Sequence, residues 1–154
     1  MTDKADFSKL VSLHKHWITA DAVQYHLRQS IKTTGTGQVT PTMGLDEIAT
    51  HLSMFSVLSV WYSLLYVVVE GYMELECHDL TLDQLLAEKI YVDALRRFRN
   101  ATFHFQEERV PQKVMEFLDA VKSENWINKL NRALKSFLER ELNIPEIARA
   151  MIDL

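Results

Sequence analysis

Cysteine is all but missing from this chain: among 154 residues only Cys77 carries a thiol. One cysteine excludes an intrachain disulfide framework and makes a reducing, cytoplasmic compartment the expectation. Glycine and proline are nearly as scarce, at four and three. With so little punctuation the chain is predicted to run in long helices. It shows no strand-like alternation of useful length, no internal repeat and no low-complexity tract. Nor is there a basic surplus, since 17 Lys and Arg stand against 21 Asp and Glu, a formal charge of −4. That balance excludes a general nucleic-acid coat, whose affinity rests on many phosphate contacts, but leaves room for a protein that grips one or two phosphates locally. Residues 1–10 carry Asp3, Lys4, Asp6 and Lys9 and lack the apolar core of a signal peptide.

Recognisable chemistry motifs are equally thin. Neither HExxH nor paired CxxC occurs, His14 and His16 are two apart and so point to different sides of a helix, and His26 lies too far along to join them. Cys77 beside His78 makes a weak metal signal, so no metal and no cofactor are expected. Gly35 and Gly37 follow a helix, not a strand, and form no phosphate loop; a GxSxG nucleophile elbow is absent too.

What the chain does have is apolar periodicity at helical spacing. Asp6 or Ser8 caps a first predicted helix to about Ile31, with Leu10, Leu13, Trp17, Ala20, Val23 (or Gln24) and Leu27 on one stripe. The hydroxyl- and glycine-rich run from Thr33 to Gly44 is the one clear loop. A second helix is expected from Leu45 to about Glu74. A third begins behind a Thr81 cap, with Leu82, Leu85, Leu86, Ile90 (or Lys89), Val92, Leu95 and Phe98 as its apolar face. Pro111 disfavours helix before it, so residues 106–111 read as a connection. A fourth helix spans about 112–142, bent or split at Lys122–Asn125, and Pro145 opens a short last one at 145–153. The expectation is a single all-α domain over residues 1–154, an up-and-down antiparallel bundle of four to six helices.

From Leu52 to Val69 the second helix has no charged residue, which approaches the length of a bilayer span. Ser53, Ser56, Ser59 and Ser63 fall on one helical stripe, however, and the flanks carry Asp46, Glu47, Glu70, Glu74 and Glu76 with no Lys or Arg to anchor them. The reading is a buried central helix, not a membrane one, whose small stripe lets a neighbouring helix approach closely.

The stretch that remains unexplained by scaffold is Ala94 to Phe105. Arg96, Arg97 and Arg99 fall within four residues, Asn100 follows, and His104 comes five after Arg99. On an ideal helix Asn100 and His104 share a face one turn apart, Arg99 flanks them and Arg96 extends the ridge. Phe98, Phe103 and Phe105 separate these polar groups. Arginine supplies a fixed charge and a forked donor suited to phosphate, and histidine both takes and gives protons near neutral pH. Together they hold what cleavage of RNA by its own 2′-hydroxyl requires, without a metal. A symmetric dimer would supply the second proton-transfer group, and an anion between the two ridges would offset their repulsion. A structural account stands beside this one: arginines suit a helix C-terminus on electrostatic grounds alone, and Glu70, Glu107 or Glu108 would pair with them.

At these residues the sequence resembles the HEPN (higher eukaryotes and prokaryotes nucleotide-binding) superfamily. Its hallmark is an arginine followed by a polar residue and, after four to six intervening residues, a histidine; Arg99, Asn100 and His104 match it. The helix ending in Val69-Glu70-Gly71-Tyr72 is also similar to helices of that superfamily, and the resemblance covers residues 5–142. It implies a homodimer with both motifs in an interfacial cleft. The implied function is a metal-independent endoribonuclease of a toxin–antitoxin or other defence system, with catalytic Arg99, Asn100 and His104 and RNA-binding Arg96 and Arg97. A separate antitoxin-like protein is an implied partner. Other members serve as catalytically silent modules that bind RNA, a nucleotide or a protein partner, and that alternative stays open.

Overall fold

The apolar stripe of the first helix packs on the second helix and on the last described one. The structure is a computed structural model that describes residues 4–34, 40–105, 107 and 121–145. Helix α1 (Lys4–Thr34) buries Leu10, Leu13, Trp17, Ala20, Gln24 and Leu27, alternating three- and four-residue steps. Of the two residues weighed for the fifth position, Gln24 is the buried one and Val23 is only half-buried. Helix α2 (Leu45–Glu74) starts and ends where the sequence placed it, with Glu47 accepting a hydrogen bond from the Gly44 N–H at 3.2 Å. α1 and α2 pack antiparallel, closely enough that a Cβ on Gly71 would fall 2.6 Å from Leu13 Cδ1. A side chain at Gly71 would make the Leu13 methyl shift, so glycine serves close approach there, not backbone freedom.

By length and composition α2 could cross a membrane. Its buried residues, Ser59 to Tyr72, lie in the middle of the core, where Val68, Val69 and Leu65 are fully enclosed. The serine stripe divides accordingly. Ser59 and Ser63 are buried, while Ser53 and Ser56 are exposed, and all four donate to the carbonyl one turn back.

The predicted third helix is two helices, α3 (Leu80–Leu86) and α4 (Lys89–Phe103). In a continuous helix the Leu85 carbonyl would accept from the Lys89 N–H. It accepts instead from Trp126 Nε1 and Glu88 N, both at 3.2 Å, and Lys89 N turns to Ala87 O at 2.9 Å. The break rotates Ile90 out of the expected apolar face, leaving it 77% exposed. The cap also differs: Asp79, not Thr81, sits in an extended conformation and accepts from Leu82 N at 2.9 Å.

Helix α5 (Val121–Glu141) includes Lys122–Asn125, and the residues before Val121, on which the expected bend or split depends, lie outside the described residues. It buries Trp126, Ile127, Leu130, Leu134, Phe137 and Leu138, and Phe137 meets Tyr72 edge-to-face at 5.2 Å. Among the described residues the protein is therefore an all-α bundle of five helices with no strand. The expected connection at 106–111 (Glu107 apart), the start of the fourth helix and the last helix beyond Pro145 lie outside the described residues.

Asp79 also receives Arg140 Nη2 from α5 at 3.0 Å, so one carboxylate caps α3 and ties it to α5. Burial by itself would raise its pKa; the Leu82 N–H and Arg140 outweigh that and hold it below the usual carboxylate value. A depressed folded-state pKa stabilises above the unfolded value and the gain is lost as pH falls through the folded one. Asp79→Ala is expected to cost about 1–2 kcal/mol at pH 7. That gap from wild type should narrow below about pH 4, as urea unfolding at pH 7 and pH 3 would reveal.

Candidate functional site

α4 is built to hold a charged ridge against an apolar wall. Val92, Leu95 and Phe98 are buried at three-residue steps, and Phe98 packs on Tyr62 of α2 at 5.3 Å. Facing away from this seam, Arg96 and Arg97 are exposed and Arg99 and Asn100 are half-buried.

Arg99 reaches back along α4 to α2. Its Nη2 donates to Glu70 Oε1 at 2.9 Å and its guanidinium carbon lies 5.3 Å from the Tyr66 ring centroid. The side chain is 24% exposed and Glu70 39%. Its Nε is buried with no hydrogen-bond partner among the described residues. Glu70 thus occupies one edge of a five-donor group, fixing its position without saturating it. Tyr66 was not anticipated, although it precedes Glu70 by one helical turn. Burial, and then Glu70, push its phenol above the ordinary value against the pull of Arg96 and Arg99. Glu70→Gln is expected to lower stability by no more than about 1 kcal/mol, because the pair is part-exposed and screened. The loss should shrink in 0.5 M salt (thermal melts at two ionic strengths).

Arg96 forms only a long contact with Asp93, 3.7 Å apart with both side chains half-exposed. Arg97 has no ion partner among the described residues. The helix stops at Phe103. His104 is its C-cap in an extended conformation, φ −110° and ψ 144°, donating its backbone N–H to Asn100 O at 3.0 Å. The shared helical face expected of Asn100 and His104 therefore does not form as such, since His104 has left the helix. It is exposed, between Phe103 at 52% and Phe105 at 93% exposure.

What the fold brings together is Arg99, Glu70 and Tyr66, with Arg96 close by; His104 stands at the open end of the same helix. Among the described residues no three His, Cys, Asp or Glu side chains converge as a metal site. No protein-family model, curated protein or solved structure matches this chain.

Proposed function

We propose that the α4 ridge handles an RNA phosphodiester and that the protein is a metal-independent endoribonuclease, acting as a cytoplasmic homodimer of the HEPN type. The observation that carries this reading is a guanidinium preset by Glu70 and Tyr66, 24% exposed, on the helix that ends in an exposed histidine. In this scheme His104 removes the 2′-hydroxyl proton or protonates the departing 5′-oxygen, while Arg99 stabilises charge on the five-coordinate phosphorus. Asn100 orients the pair, and Arg96 and Arg97 hold flanking phosphates. The products are a 2′,3′-cyclic phosphate and a 5′-hydroxyl.

The second proton-transfer group comes from the partner's copy of His104. Phe103 and Phe105 support this arrangement, because two exposed phenylalanines beside the motif form an apolar edge that a second subunit can cover. A separate antitoxin-like protein would act by covering the same edge.

The test is incubation with single-stranded RNA in excess chelator, with the ends of the fragments identified. Cleavage leaving cyclic phosphate ends supports the reading; dependence on added metal, or none at all, sinks it. The Arg99–Glu70 ion pair is the contact expected of the structural account, a ridge that only packs or serves as an adaptor; a catalytically silent module that binds RNA, a nucleotide or a protein partner stays as the other rival. For an RNA or nucleotide ligand, binding would survive His104→Ala and weaken in Arg99→Ala, with no turnover in either protein.

A further inference from the structure

Lined by none of the α4 ridge residues, a groove of about 540 Å³ lies between α3 and α5, within the roughly 300–1,000 Å³ range of small-molecule sites. Lys129, Arg132, Ser136 and Arg140 line it at steps of three and four along one face of α5. Three cations on one groove are a concentration in a chain whose net charge is −4.

They are not equivalent. Arg140 is committed to Asp79 at 3.0 Å and Glu141 at 3.1 Å, so it is spent on two carboxylates and adds no free positive charge to the groove. Lys129 and Arg132 have no ion partner among the described residues. The opposite wall offers the Thr81 hydroxyl and the Gln84 amide, and Ser136 adds a hydroxyl; none of these groups makes a side-chain hydrogen bond among the described residues. Leu85 and Ala133, both half-buried, give the floor an apolar strip.

We propose that this groove is a binding site, separate from the α4 ridge, for a small phosphate-bearing molecule of nucleoside-phosphate size. Lys129 and Arg132 hold the phosphate through charge-assisted hydrogen bonds. The hydroxyl and amide groups meet the polar body of the ligand, and the Leu85–Ala133 strip takes its flat apolar part. Asp79 and Glu88 decide between a small ligand and a strand. Both carboxylates line the groove, so a continuous phosphate backbone laid along it would meet them, which favours a ligand that carries its phosphate at one end. The inference is independent of the ribonuclease reading, since it uses no residue of that site.

Calorimetric titration of the full chain with adenosine 5′-diphosphate, inorganic phosphate and a single-stranded RNA dodecamer tests it, on wild type, on the Lys129→Gln/Arg132→Gln variant and on Arg99→Gln. Expected is saturable ADP binding with competing phosphate, weakened about tenfold or more in the double variant and unchanged in Arg99→Gln. Both replaced side chains are exposed, so an unchanged thermal melt will accompany the loss. Absence of saturable ADP binding, equal affinity in the double variant, or loss in Arg99→Gln alone would each overturn the site. RNA affinity that falls in the double variant while ADP fails to bind would overturn the small-ligand assignment in favour of a strand.

Discussion

His104→Ala lowers metal-independent RNA cleavage by about 10²- to 10⁴-fold, the range for removal of a positioned proton-transfer group. The fold should be untouched. His104 is exposed, and the backbone N–H that it gives to Asn100 O survives in alanine. Loss of rate without loss of thermal stability therefore separates chemistry from folding. Arg99→Ala is expected to cost about 10²- to 10³-fold through lost charge stabilisation, and to strand Glu70 and Tyr66 as well. Arg99→Lys, which keeps the charge and loses the fork, should recover only part of the rate. Because the scheme draws one His104 from each subunit, a mixed dimer of the His104 and Arg99 variants still lacks one proton-transfer group and should not recover the wild-type rate. Retention of full activity by the His104 variant ends the ribonuclease reading.

Asn131→Ala destabilises the bundle by about 3–4 kcal/mol, a large share of the roughly 5–15 kcal/mol that holds a domain together. Asn131 is 7% exposed and stands between α5 and α1. Its Oδ1 accepts from Trp17 Nε1 and its Nδ2 donates to Gln24 Oε1, each at 3.0 Å. Alanine would leave a buried N–H and a buried carbonyl unpaired, and the unmet groups cost more than the lost bonds. Asn131→Leu fills the volume and repairs neither, so it should be nearly as damaging. Combining Asn131→Leu with Gln24→Leu removes one orphan together with its partner and should regain about 1–2 kcal/mol of the loss, as a double-mutant cycle in urea will report. A loss below about 1 kcal/mol for Asn131→Ala would mean that water, not Asn131, satisfies these groups.

Much of this architecture was legible from residue spacing. The limits of α2 followed from an apolar run with Leu45 behind Gly44 and acidic residues at both ends. The α1 stripe followed from three- and four-residue steps, because a helix must bury one face and only that period aligns the residues. The Arg99-Asn100…His104 set was visible for the same local reason: it is a short run of unlike side chains on one element. Its partners were harder. Glu70 stood out only as a carboxylate within reach of the motif, and Tyr66 carried no signal of its own.

Taken by itself, the order of residues determined that the chain is helical, where its apolar faces lie and which short segment concentrates arginine, asparagine and histidine, because each depends on groups a few residues apart. Tertiary structure alone decided the rest. The break between α3 and α4 exists because Trp126, 41 residues beyond Leu85, takes a share of its carbonyl. Gln24, not Val23, is buried because Asn131, 107 positions away, offers it a donor. The guanidinium of Arg99 is set by a carboxylate 29 positions earlier, and the cations along one face of α5 gain a facing wall of Thr81 and Gln84 only once α3 packs beside them. A hydrogen bond or an ion pair depends on distance in space, which local periodicity does not encode.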